Sequence, residues 1–297
     1  MRIGIDFGGT KIEAVGLDET GEVLARRRIP NPGAYDAAIA AVGDLIAFIE
    51  TETGRTGSVG MGTPGSASPR TGLMRNANST WLNGRPFRQD LEARLARPFR
   101  LANDANCLAL SEATDGAATG ARVAFAIIIG TGCGGGLVVN DALVEGAGGV
   151  AAEIGHISLP WATAAEAPGP ECWCGLHGCL ETWVSGSGFQ RDHAAVTGQT
   201  LDAAAIVAAA RAGDAAASAS LDRYVDRLGR AIATVTNLVD PDVIVLGGGM
   251  SNVSELYDRL PAVVERHAFS DAWAGRIAPA VWGDASGVRG AARLWPL

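Results

Sequence analysis

Three of the five cysteines in this 297-residue chain, Cys172, Cys174 and Cys179, fall within eight positions, and His156 precedes them. Three thiolates and one imidazole make a soft donor set suited to tetrahedral Zn²⁺. Four protein donors close the coordination sphere, so the predicted zinc is structural and shapes its loop without reacting. Glu153 and Glu181 bracket the set, and Gly175 and Gly178 permit the tight turns that bring the sulfurs together. The alternatives are a disulfide or ordinary buried thiols. No secretory signal favours pairing, and metal is the expectation. His177 is the one competing ligand, and Cys107 and Cys133 read as small buried residues.

Two glycine-rich turns offer a second kind of chemistry. Gly8-Gly9-Thr10-Lys11 and Gly130-Thr131-Gly132 present backbone N–H groups to an anion and leave room for a phosphate to approach. A Walker-type loop would open a helix, whereas both turns lead back into a strand. Plain hairpins are the alternative, and recurrence at equivalent places in two strand–turn–strand units speaks against it. A third cluster, Gly247-Gly248-Gly249, follows a buried strand and leads to Ser251, read as the N-cap of a helix from Val253 to His267, a place for nucleotide phosphate or the adenosine end. Asn103 and Asp104 close a strand before a helix from about Ala105 to Gly116, where open α/β sheets hold ligands. Asp104 is placed either to accept a proton from a hydroxyl or to cap that helix.

The elements that must hold these groups follow from pattern. Strands are predicted over 3–7, 12–17 and 23–29, then a helix from Tyr35 to about Glu52, a strand over 58–62, a helix from Pro86 to about Leu95 and a strand over 99–102. A second meander covers 123–129, 137–140 and 142–144, an Ala-rich helical run covers 203–238, a buried strand covers 242–246 and a terminal helix covers 286–295. The repeated meander predicts two similar lobes facing a shared cleft, divided near Gly116 to Gly120. A net charge of −8 argues against nucleic acid and anionic membranes as partners. Charge within Met1-Arg-Ile-Gly-Ile-Asp6 leaves no signal-peptide core, and the longest apolar run, Val123 to Ile129, is too short to span a bilayer. A cytoplasmic protein with small-molecule partners is expected.

With Asp6-Phe-Gly8-Gly9-Thr10-Lys11, Asn103-Asp104, Gly130-Thr131-Gly132, Glu153-Ile-Gly-His156 and Cys172-x-Cys174-Gly-x-x-Gly-Cys179-x-Glu181 in order, the sequence resembles the ROK family of bacterial sugar kinases along essentially its whole length. Asn76 to Gly84, Leu101 to Leu108 and Gly247 to Asn252 look most like the manno(fructo)kinase kind of fructokinase. The resemblance implies an α/β, two-lobed actin-like (ribonuclease H-like) ATPase fold with a zinc-stabilised loop. The N-terminal lobe would cover 1–117 with a terminal helix at about 286–297 packed back on it, and the C-terminal lobe 118–285 with the zinc loop at 153–181. ATP and Mg²⁺ are the implied cofactors beside structural Zn²⁺, and a homodimer the implied assembly.

The implied reaction is phosphorylation of a free hexose, D-fructose to fructose 6-phosphate, with mannose, glucose or an N-acetylhexosamine as alternatives. By the same resemblance Asp6, Gly8, Gly9, Thr10, Lys11, Thr131, Gly132, Gly248 and Gly249 would face the nucleotide. Gly65, Asn78, Asn103, Glu153, His156 and Glu181 would hold the sugar, and Asp104 would be the catalytic base. Two departures bear on the sugar loop: Ala152 stands where many members have Gly, and the spacer from His156 to Cys172 is long and carries Pro160, Pro168 and Pro170.

Overall fold

The computed structural model describes residues 1–77 and 79–295, and of Asp284 the backbone alone. The chain opens with β1 (Arg2–Phe7), β2 (Lys11–Leu17), β3 (Val23–Pro30), α1 (Tyr35–Thr53), β4 (Ser58–Thr63), β5 (Ser66–Ala67), β6 (Met74–Arg75), α2 (Phe87–Leu95), β7 (Phe99–Asn103) and α3 (Asp104–Asp115). It continues with β8 (Val123–Ile129), β9 (Cys133–Val139), β10 (Ala142–Leu143), α4 (Glu181–Val184), α5 (Gly186–Thr197), α6 (Ala203–Arg211) and α7 (Ala215–Val239). The last elements are β11 (Val243–Gly247), α8 (Glu255–His267), β12 (Arg276–Pro279) and α9 (Ser286–Ala292).

These elements form two compact units. One comprises Met1–Thr119, Asp141–Ala151 and Asp284–Leu297, and the other Gly120–Asn140 and Ala152–Gly283. The stretch 141–151, expected in the second lobe, is grouped instead with the first unit, where β10 packs on α3 and the Arg75 guanidinium donates to the Gly148 carbonyl.

In the first unit the sheet order is β3-β2-β1-β4-β7, antiparallel through the opening meander and parallel from β1 to β7. Alternation along β1 buries Ile3, Ile5 and Phe7 in one cluster with Ala38, Ile39, Val42, Leu45, Ile46 and Ile49 of α1. That three-and-four spacing is why 35–53 is a helix, and Gly54 ends it in the left-handed conformation at φ 63°. On α9 the backbone comes so near the sheet that a Cβ on Gly4 would lie 2.0 Å from the Val288 carbonyl oxygen, and one on Gly60 2.0 Å from that of Ala291.

In the second unit the strands run β9-β8-β11-β12, with β8 and β9 antiparallel and β11 and β12 parallel to β8. The unbroken apolar run of β8 suits a strand covered on both faces. Its Ile127 and Ile129 join Ile244 and Leu246 of β11, Leu228 and Ile232 of α7, and Leu256 and Leu260 of α8 in one core. Two expectations are corrected here. The helical run over 203–238 is broken at Gly213, φ 89°, because the Asp214 carboxylate accepts the Ala217 N–H at 2.8 Å and starts a new helix. Ser251 is not an N-cap: its hydroxyl donates to the Gly248 carbonyl at 2.7 Å within the 3₁₀ turn Gly249–Asn252, and α8 starts at Glu255. Among the described residues no helix is long and apolar enough to cross a membrane.

Candidate functional site

In the first unit the acidic candidates sit at carboxyl ends of parallel strands, Asp6 on β1 and Asp104 directly after β7. The two possible roles of Asp104 separate. Asn103 is the N-cap of α3, its side-chain oxygen accepting the Asn106 N–H at 3.1 Å, while Asp104 Oδ1 accepts the N–H of its neighbour Ala105 at 2.8 Å. Asp104 is exposed, yet desolvation by the protein around its carboxyl raises its pKa. Burial also pushes the Asp6 carboxyl up to about 6, aided by the charges of Asp104 and then Glu13 and opposed by Lys11 and Arg28.

The turn between β1 and β2 is a hairpin as well as an anion candidate. The Gly8 N–H donates to the Lys11 carbonyl at 3.0 Å, and Asn31 ties the turn down from beyond β3, donating its side-chain amide to the Gly8 carbonyl at 2.7 Å and its N–H to the Thr10 carbonyl at 2.9 Å. Gly9 and Thr10 stay exposed and Lys11 is half-buried. Asn31 carried no sequence signal for this role. Gly65 is glycine for a backbone reason, since at φ 71° a Cβ would lie 2.2 Å from the Arg75 carbonyl oxygen. Asn83 orders the following loop by accepting the Ala77 N–H at 2.9 Å and donating to the Ala77 carbonyl at 3.0 Å. Asn78, a candidate sugar contact, lies outside the described residues.

In the second unit the Gly130–Gly132 turn meets both other motifs. Glu181 accepts the Cys133 N–H through Oε2 at 2.9 Å, and a Cβ on Gly132 would fall 2.6 Å from that oxygen. Gly248, at φ 82°, brings the third glycine cluster against Ile129 and Gly130, where a Cβ would stand 2.8 Å from the Ile129 carbonyl carbon. Thr131 and Gly249 line a cavity of about 570 Å³ whose walls include Ser187, Gln190, Arg211 and Asn252. Sequence reasoning found the glycines and missed Ser187, Gln190 and Arg211, because α5 and α6 carry no motif that marks them.

His156, Cys172, Cys174 and Cys179 converge, with their donor atoms all within 4.8 Å of one another. Cys174 Sγ stands 3.6 Å from Cys179 Sγ, and Cys172 Sγ 3.7 Å from His156 Nδ1. A tetrahedral zinc with Zn–S near 2.3 Å and Zn–N near 2.0 Å has donor–donor edges of roughly 3.5–3.8 Å. The residues therefore fit zinc in both type and spacing. His177 lies outside the cluster, bridged to Glu171 and exposed. Gly155, in the turn Ile154–His156, is packed so that a Cβ would lie 2.0 Å from the Cys133 carbonyl oxygen, and Ala152 holds φ 62°, which explains the preference for Gly there.

The long spacer is anchored on α7. Arg230 donates to the carbonyls of Pro160 and Trp161 at 2.9 Å each and to Glu166 at 2.8 Å, and Arg227 donates to Glu166 at 2.9 Å. Burial pushes the Glu166 carboxyl up, but donation from Arg230, the Thr163 N–H and Arg227 outweighs it and brings the pKa down to about 2.

The ROK family profile matches residues 2–297. The chain belongs to the ROK family. Among similar ROK proteins, the N-acetyl-D-glucosamine kinase of Pectobacterium atrosepticum is 40% identical over 299 residues, 99% of this chain and 98% of that one. The ROK hexokinase of Thermus thermophilus shares the fold with a TM-score of 0.87 at 31% identity, covering 98% of this chain and 96% of that one. A ROK glucokinase from Streptomyces griseus, solved with glucose and AMPPNP, gives 0.80 at 29% identity, covering 99% and 98%. This similarity is to an N-acetylglucosamine kinase and so favours the N-acetylhexosamine alternative over the fructokinase resemblance.

Proposed function

We propose that this ROK protein transfers the γ-phosphoryl group of ATP to a hydroxyl of a free hexose, with N-acetylglucosamine ahead of fructose, mannose and glucose. The observation that carries the reading is Asp104. It follows a strand end, it is relieved of helix capping by Asn103, and its pKa is raised, which makes it a better proton acceptor for a sugar hydroxyl than an ordinary surface carboxylate. The kinase at 40% identity named for N-acetyl-D-glucosamine supports the choice of sugar.

Phosphoryl transfer depends on positioning and charge neutralisation. The turn residues Gly8, Gly9, Thr10 and Lys11 in one unit, and Thr131 and Gly132 in the other, are assigned to the phosphates, with the Gly8 N–H kept by the Lys11 carbonyl to hold the turn, and Gly248 and Gly249 to the rest of the nucleotide. Asp6 offers hard carboxylate oxygens that suit Mg²⁺, which when bound would supply neutralisation of phosphate charge. Gly65, Asn78, Asn103, Glu153, His156 and Glu181 are assigned to the sugar. His156 turns Nδ1 towards Cys172, which leaves Nε2 for a hydroxyl. Assembly as a homodimer belongs to the same proposal and is checked by light scattering.

The test is ADP release over a panel of hexoses with ATP and Mg²⁺, followed by identification of the phosphorylated carbon. N-acetylglucosamine is expected to give the highest kcat/KM. A higher value for fructose would return the assignment to that sugar, and ADP release with none of them would overturn the kinase reading.

A further inference from the structure

Trp173 stands between two of the four zinc donors, and its side chain reaches two of the residues assigned to sugar. The indole ring meets the His156 imidazole edge to face, 4.9 Å between centroids at 84°. Its N–H donates to Glu181 Oε1 at 2.6 Å. The other oxygen of the same carboxylate accepts the Cys133 N–H at 2.9 Å. Glu181 is therefore held at both oxygens by donors of different origin, one from β9 and one from within the zinc loop. Trp173 is itself 64% exposed, so apolar burial does not account for its place.

We propose that Trp173 is a positioning residue that fixes the Glu181 carboxylate for the sugar and makes that fixation depend on the zinc. The physical reason is geometric. A carboxylate with one donor rotates about its terminal torsion, which is broad and has no steep staggered wells, whereas two donors at its two oxygens set the plane. Each oxygen keeps a further lone pair to accept a hydroxyl. The flanking Cys172 and Cys174 are both metal donors, so the backbone carrying the indole is ordered when they are tied and released when they are not. A hydrogen bond to an ionised group is among the stronger ones, although exposure of the indole to water reduces its worth.

The role as a sugar clamp rests on the reading of Glu181 as a sugar contact, so the experiment has one arm that needs no sugar. In the first arm the indole N–H resonance of Trp173, assigned by its loss in Trp173→Phe, is followed by ¹H–¹⁵N NMR in the zinc-loaded protein. It is expected to move upfield in Glu181→Gln and to broaden or shift on chelation. A resonance unmoved in Glu181→Gln overturns the clamp whatever the protein phosphorylates. In the second arm Trp173→Phe keeps an aromatic ring to face His156 and removes the donor. Sugar KM is expected to rise roughly 3- to 10-fold, as fits one exposed charge-assisted hydrogen bond, with zinc content and ATP KM unchanged. In the Glu181→Gln background the same change is expected to add nothing. Equal losses in both backgrounds, or loss of zinc from Trp173→Phe itself, would reduce Trp173 to loop packing. A moving resonance with unaltered sugar KM would leave the contact real and overturn its role.

Discussion

Asp6 and Asp104 of the first unit and Glu166 of the second are carboxylates treated in opposite ways. In the first, desolvation raises the pKa values of both Asp6 and Asp104, and the charge of Asp104 adds to the shift on Asp6, where too little nearby positive charge compensates. In the second, Glu166 receives Arg227 and Arg230 and is held at about 2. A carboxylate that fastens a loop is saturated with donors. One that must take a proton or meet a cation is left electrostatically costly until a ligand arrives.

The largest expected effect follows from that contrast. Asp104→Asn removes the proton acceptor while Asn103 keeps the cap, so kcat is expected to fall by roughly 10²- to 10⁴-fold, the usual contribution of a positioned base. Sugar affinity by calorimetry and the thermal midpoint are expected to change little. A variant that lost stability and kept turnover would erase the distinction between the units. Glu166→Gln is the converse. Arg230 and Arg227, whose side chains are only 4% and 7% exposed, would face an amide. The cost in urea unfolding is expected near 2–3 kcal/mol, below the usual range for a broken buried pair because Arg227 retains Asp192 and Arg230 retains two carbonyls. Turnover per folded molecule should be less affected than in Asp104→Asn.

A pH experiment sharpens the comparison with a smaller effect. The folded-state pKa of Asp6 is raised from 3.8 to about 6, so between those values the native state holds the proton more tightly than the unfolded chain, and stability falls as pH rises through that window. Ligand-free protein is expected to gain on the order of 1–2 kcal/mol from this group between pH 7 and pH 5, and Asp6→Asn to abolish that part of the slope. Glu166 has the opposite sign, its contribution being complete above about 4.5 and lost as pH falls towards 2. An unchanged slope in Asp6→Asn would remove the claim of strain. The smallest effect is Asn103→Ala, expected to cost about 1 kcal/mol as a lost cap, measured by thermal unfolding of the ligand-free protein.

The metal set was legible because it is local: four donors, two glycines and one stretch of chain specify it. The strands were legible for the same reason, since the alternate apolar residues Ile3, Ile5 and Phe7 of β1 and an unbroken apolar β8 are written in consecutive residues. What resisted was anything set by one residue of phase or by distant partners. Either Asn103 or Asp104 is a competent cap, and only the backbone decides between them. Ser251 has the residue type and spacing of a cap, but its hydroxyl turns back on Gly248. Gly213 was hidden in an Ala-rich run whose composition continues on both sides of the break. The walls of the cavity, the Asn31 tie and the Trp173 contact join segments that no spacing rule connects.

The close seating of α9 also bears on how the chain is made. Gly4 and Gly60 lack side chains because the carbonyls of Val288 and Ala291 occupy that space, and a Cβ on Gly290 would lie 1.8 Å from the Cys107 carbonyl oxygen. Strands β1 and β4 of the first unit are thus shaped to a helix that is translated after every segment of the second unit. During synthesis the later-born unit is the one able to close first, while the earlier one waits with a sheet face uncovered. A nascent chain arrested before Ser286 is accordingly expected to be cut by protease within its opening strands while the segment from β8 to β12 already resists.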